Sequence, residues 1–155
     1  MRRLAIISLA VLAAACSRGQ TVVGEQSVSF STPASIDTLM ARAGNELSRL
    51  GFDATATSEG LLFTAPRPLP DSVAPAVGGA PQMWLIHVLA EPQRFTSGSS
   101  ASIRAYLIPI HAMPTPGNAV LEYAIPVTSD RPAVFNELRR VAEQVRNAAT
   151  RGLVK

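Results

Sequence analysis

Ser35-Ile36-Asp37-Thr38-Leu39-Met40-Ala41-Arg42-Ala43-Gly44-Asn45-Glu46-Leu47-Ser48-Arg49-Leu50-Gly51-Phe52-Asp53 is the stretch from which the rest of the chain can be read. Its apolar positions, Ile36, Leu39, Met40, Ala43, Leu47 and Leu50, are separated by steps of 3, 1, 3, 4 and 3. A 3.6-residue period gathers them into one stripe, with Arg42, Asn45, Glu46 and Arg49 on the other side. Ser35 is placed to cap the free amides of this helix, Asp37 suits the positive end of its dipole, and Gly51 supplies the left-handed residue that ends it. The period then changes to two. Phe52, Ala54 and Ala56 alternate with Asp53, Thr55 and Thr57, Ser58-Glu59-Gly60 has turn chemistry, and Leu61 to Ala65 returns as a partner strand. An amphipathic helix that runs directly into an antiparallel hairpin requires a sheet on which to bury its stripe.

Outward from this segment, Gln26-Ser27-Val28-Ser29-Phe30 alternates as a first strand. Met83 to Ala90 is a strongly apolar strand with Trp84, Ile86 and Val88 on one face, and Ile103 to Ile110 and Val120 to Ile125 are two more. Asp130 and Pro132 open a last helix, in which Val134, Leu138, Val141, Val145 and Ala149 form the buried stripe. Glu137, Arg140, Glu143 and Arg146 lie outside as i,i+3 pairs, and Gly152 is its stop. The expected order is β-α-β-β-β-β-β-α: an α+β fold with a mainly antiparallel sheet of five to six strands covered by two amphipathic helices. A domain of this size hides roughly two-thirds of its unfolded surface, so it needs no disulfide. Three segments read as loops: the proline-rich stretch 66–81, which carries five of the 12 prolines and Gly78-Gly79, and the tips Ser97 to Ser102 and Met113 to Asn118.

At the N-terminus, Met1-Arg2-Arg3 is basic, Leu4 to Ala15 is apolar apart from one serine, and Cys16 follows directly. Twelve helical residues reach about 18 Å, well short of the ~30 Å hydrocarbon core, so this is a secretory leader and not a spanning helix. Leu12-Ala13-Ala14-Ala15-Cys16 resembles the lipobox of bacterial lipoproteins, with Ala13 where leucine is commoner. That resemblance implies removal of residues 1–15, a diacylglycerol thioether on Cys16 and acylation of the new N-terminus, an anchor whose three chains hold a protein firmly at a membrane. Residues 16–24 are then a lipidated tether and 25–155 a single domain. Cys16 is the single cysteine, so a disulfide does not account for it. Ser17 occupies the place where aspartate signals inner-membrane retention, which points to the outer membrane, facing the periplasm.

Charge excludes one class of partner. Without Arg2 and Arg3 the 14 basic side chains fall to 12 against 11 acidic ones, a net charge of +1. The remaining arginines form no clustered basic face of the kind nucleic acid requires. Chemistry-bearing residues are few. His87 falls on the strand face opposite Trp84, Ile86 and Val88, where it reads as a solvent-facing or hydrogen-bonded residue, and His111 stands alone. Neither has cysteine or carboxylate neighbours at metal-ligand spacing. Asp53, Glu59, Glu91 and Glu122 have no pairing that marks a glycosidase, there is no G-x-S-x-G elbow, and Gly78-Gly79 lacks the residues of a phosphate loop. No cofactor and no catalytic residue is expected.

The run from Ser35-Ile36-Asp37 through Gly51-Phe52-Asp53 to Glu59-Gly60-Leu61-Leu62 resembles the repeating domain of the barrel-assembly lipoprotein C (NlpB-like) family. The resemblance implies a helix-grip arrangement, a long helix laid across a curved antiparallel sheet. The function expected is that of a noncatalytic envelope lipoprotein that binds another envelope protein. The alternative is a periplasmic lipoprotein that encloses a small ligand or lipid between helix and sheet.

Overall fold

A computed structural model describes residues 21–77, 82–109 and 124–153. The first helix, α1 (Ile36–Arg49), forms where the stripe demands it and buries Leu39, Met40, Ala43 and Leu47. Ser35 is its N-cap, its hydroxyl oxygen accepting the Thr38 amide at 3.3 Å. Gly51 follows the helix at a φ of 82°, where a side chain would strain the backbone.

Every strand pairing among the described residues is antiparallel. Its strands are β1 (Val22–Val23), β2 (Val28–Thr32), β3 (Ala54–Ala56), β4 (Leu61–Thr64), β5 (Arg67–Pro68), β6 (Gln82–Pro92), β7 (Ser99–Pro109) and β8 (Ile125–Pro126). They lie in the order β1-β2-β7-β6-β4-β3, with β5 also on β6 and β8 also on β7. The spine is the β6–β7 hairpin, paired without interruption from Gln82↔Pro109 to Pro92↔Ser99. Because β2 and β3 lie on opposite sides of this spine, α1, which joins them, has to cross the sheet.

The second helix, α2 (Pro132–Thr150), packs beside α1 over β2 and β7. Alternation along the strands sends Val28, Phe30, Leu62, Trp84, Ile86, Val88, Ile103 and Leu107 to the face beneath the helices, where they close one core with Leu39, Leu47, Leu138, Val141 and Val145. The fold is thus α+β with two helices on a mainly antiparallel sheet, as the patterning requires.

Several boundaries differ from the sequence reading. Among the described residues the sheet has eight strands instead of five or six, because the two-residue strands β1 and β5 carry too little sequence for periodicity to register; β8 is the described end of the strand read at Val120 to Ile125. Val22–Val23 pairs with Val28 and Ser29, so the tether read at 16–24 ends inside the sheet. The proline-rich loop is held down over 67–77. Arg67–Pro68 joins β6, Leu69 and Val73 are buried, and Ala74–Val77 is a 3-10 turn; residues 78–81 lie outside the described segments. The tip read at Ser97 to Ser102 is shorter, since Ser99 already begins β7. The last helix does begin at Pro132, which supplies the pre-set φ of the first turn, while Arg131 holds the N-cap position without a side-chain bond. The strand read at Val120 to Ile125 is described only from residue 124 on, and the tip at Met113 to Asn118 lies outside the described residues.

Candidate interaction surface

The side of the sheet away from the helices is where the unusual residues gather. Register places Phe63 of β4, His87 of β6 and Arg104 of β7 in one row, and Leu61, Leu89 and Ser102 in the next. Tyr106 is diagonal to His87. The ring centroid of His87 lies 5.0 Å from that of Tyr106 and 6.5 Å from that of Phe63, both pairs steeply tilted. Such pairs are worth about 0.5–1.5 kcal/mol beyond the area they bury. Packed between the two rings, His87 is half-buried, and this desolvation lowers its pKa from the ordinary 6.5. The neutral imidazole is thereby favoured, a flat and weakly polar ring between two aromatic ones.

The face is graded. Phe63 is 39% exposed and Leu89 43%, so two large apolar side chains open to solvent on either side of the histidine. Toward β2 the same face turns polar, where Ser29 pairs with Ser102 and Ser31 with Ser100. Near the opposite end, Leu85 and Ile108 are buried although they lie outside the cluster beneath the helices. The accessible apolar part of the face is the patch formed by Phe63, His87, Leu89 and Tyr106.

Other candidates are dispersed. Asp53 precedes β3, Glu59 sits in the β3–β4 turn and Glu91 near the end of β6, all exposed. Glu122, His111 and Cys16 lie outside the described residues. Among the described residues there is no group of three or more His, Cys, Asp or Glu able to hold a metal ion, and no helix is long and apolar enough to cross a membrane. Two cavities formed by described residues lie at the periphery. One of about 370 Å³ is bordered by Val77, Ile125, Asp130 and Pro132, and another of about 350 Å³ by Arg42, Glu46, Arg49 and Arg151. Between sheet and helices the space is filled by Trp84 and its aliphatic neighbours, nearly all without solvent contact. The Trp84 ring meets Phe52 edge to face at 5.4 Å.

Alternation alone put His87 on the helix-free face. It did not bring Phe63, Leu89 and Tyr106 to it, because that conjunction depends on the register of three strands. The chain matches no protein-family profile and no curated protein.

Proposed function

We propose that this chain is an envelope lipoprotein, acylated on Cys16 and held by that anchor at the outer membrane facing the periplasm. Its domain is a noncatalytic module that docks another envelope protein on the helix-free face of the sheet. The observation that carries the docking part is the half-exposed apolar patch of Phe63 and Leu89 around a neutral His87. Contiguous apolar surface of this kind is what protein-binding sites present to water before they are covered. Anchoring rests on the lipobox at residues 12–16 and on the basic-apolar leader before it. The filled space between helices and sheet favours a docking surface over an enclosed ligand.

The two parts are tested separately. Cys16→Ala is expected to move the protein from the membrane fraction to the soluble periplasm, and retention in the membrane overturns the anchor. A photo-crosslinking amino acid at Phe63 or Leu89 is expected to yield one discrete protein adduct in intact cells. The same probe at Ser48, exposed on α1, should yield none. Equal yields at both places overturn the assignment of the face.

A further inference from the structure

The chain enters the domain at a defined end of the sheet. β1 is antiparallel to β2, with Val23 opposite Val28 and Val22 opposite Ser29. Traced backwards from Val22, the polypeptide therefore runs toward the Thr32 end of β2. Thr21 is fastened on this path, its hydroxyl accepting from the Arg146 guanidinium at 2.7 Å. Thr32 pairs with Ser99, the first residue of β7, so the Thr32 end is also where the β6–β7 hairpin turns. At Thr21 the described chain is thus directed toward the end of the sheet from which the 93–98 turn projects.

That turn is built to hold one side chain outward. Its tip residue, Phe95, is 96% exposed, the most exposed of the large hydrophobic side chains described. Gln93 donates its amide to the Gly98 carbonyl at 3.0 Å, Gly98 donates to the Thr96 hydroxyl at 3.3 Å, and the Thr96 hydroxyl in turn donates to the Gln93 side-chain oxygen. Gly98 is wedged against Thr32 and Pro33, where a Cβ would meet backbone at 2.3 Å and 3.1 Å. Arg94 stands beside Phe95, exposed.

Lengths decide what this turn meets. From Cys16 to Thr21 the chain can extend at most about 17 Å. From the level of Thr21 to the end of β2 is about 7 Å, and a six-residue turn adds less than about 10 Å. The reach of the tether and the projection of the turn are therefore about equal.

We propose that the β6–β7 turn is a membrane contact, with Phe95 inserted at the headgroup–acyl boundary and Arg94 extended to lipid phosphates. The inference rests on acylation of Cys16. Acyl chains buried in a bilayer draw this end of the sheet to within a tether's length of the surface, and an aromatic ring with an adjacent arginine is suited to that boundary. Asp37, Glu59 and Glu91 are exposed in the segments that share this end and offset Arg94, so the shallow insertion of Phe95 carries the contact and the Arg94–phosphate pairing adds little to it. It orients the domain with the sheet's strands steep to the membrane and leaves the Phe63–Leu89 face accessible from the side.

The test uses the full acylated protein in vesicles of phosphatidylethanolamine and phosphatidylglycerol, with Phe95→Trp as reporter. Trp84 is the sole native tryptophan and is buried, so it contributes a constant background. Bilayer insertion predicts blue-shifted emission, quenching by lipids brominated near the headgroup and loss of quenching by aqueous iodide, with most of each effect kept on raising salt because the ring and not Arg94 carries the contact. A Phe63→Trp control should remain quenched by iodide. If vesicle-bound, acylated protein gives a Phe95→Trp signal quenched by iodide as strongly as the control, the contact is overturned while the anchor stands. An intact mass without acyl groups on Cys16 overturns the anchor and the contact together.

Discussion

The carbonyl oxygen of Thr32 occupies the place a side chain on residue 98 would take: a Cβ added to Gly98 would lie 2.3 Å from it. Strand β2 and the β6–β7 turn are thereby in backbone contact, and neither can yield without disturbing the Ser99 hydroxyl, which donates to the Ala34 carbonyl at 2.8 Å. Gly98→Ala is expected to cost on the order of 2 kcal/mol, a typical penalty for overpacking. Denaturant unfolding checks this, with Ser97→Ala at the neighbouring exposed position expected to be near neutral.

Arg67 fastens the proline-rich segment. Its guanidinium lies 4.8 Å from the centroid of the Phe52 ring and donates to the Leu50 carbonyl at 2.7 Å, at the end of α1. Arg67→Ala should lower stability by about 1–2 kcal/mol through loss of the stacking and of a charge-assisted bond. Hydrogen exchange should accelerate over residues 67–77 more than over α2. Arg67→Lys should recover only part of the loss, because an ammonium cannot both stack and reach the carbonyl.

His87 predicts a pH dependence with a definite sign. Burial lowers its folded-state pKa below the ordinary 6.5, so below that value the unfolded chain takes up a proton the folded chain resists. The stability linked to neutral His87 is complete above pH 6.5 and is lost as pH falls toward the lower folded value. Arg104, its register partner on β7, is the cation facing it across the sheet. Thermal unfolding from about pH 7.5 to about pH 5.5 should show a decline that is smaller in His87→Phe. The effect is modest, since the ring keeps part of its solvent contact. An unchanged slope in the variant would contradict this origin.

Ser35 tests the helix start on its own. Its hydroxyl oxygen accepts the Thr38 amide and its hydroxyl donates to the Thr38 hydroxyl at 3.0 Å. Ser35→Ala should cost about 1 kcal/mol, and Ser35→Asp should retain most of the stability, because a carboxylate there accepts the same amide and suits the helix dipole. Equal loss in both variants would remove the cap from the account of α1.

Helix α1 could be read from sequence because every local signal agreed: the stripe, the cap at Ser35, the acid at Asp37 and the stop at Gly51. Agreement of this kind is what lets a segment be assigned without its neighbours. The start of β7 failed for the opposite reason. Ser99, Ser100 and Ser102 look like a turn, yet Ser99 is buried with its hydroxyl satisfied by Ala34, and Ser100 and Ser102 occupy the polar margin of the helix-free face. In the proline-rich segment, composition concealed the burial of Leu69 and Val73, in a stretch held to β6 by the Arg67–Pro68 pairing and the Leu69 amide. The face of His87 followed from alternation alone. The patch around it was not legible, since Phe63 and Tyr106 are brought there by pairings between residues far apart in the chain.

Among the described residues the strands at the two ends of the sheet are stubs: β1 has two residues and β3 three, against 11 in each strand of the spine. A fibril grows by adding backbone to an unsatisfied border, and these borders offer too few amides in line for another copy to zip onto. At high concentration, neighbouring molecules would slide past one another at these borders without polymerising.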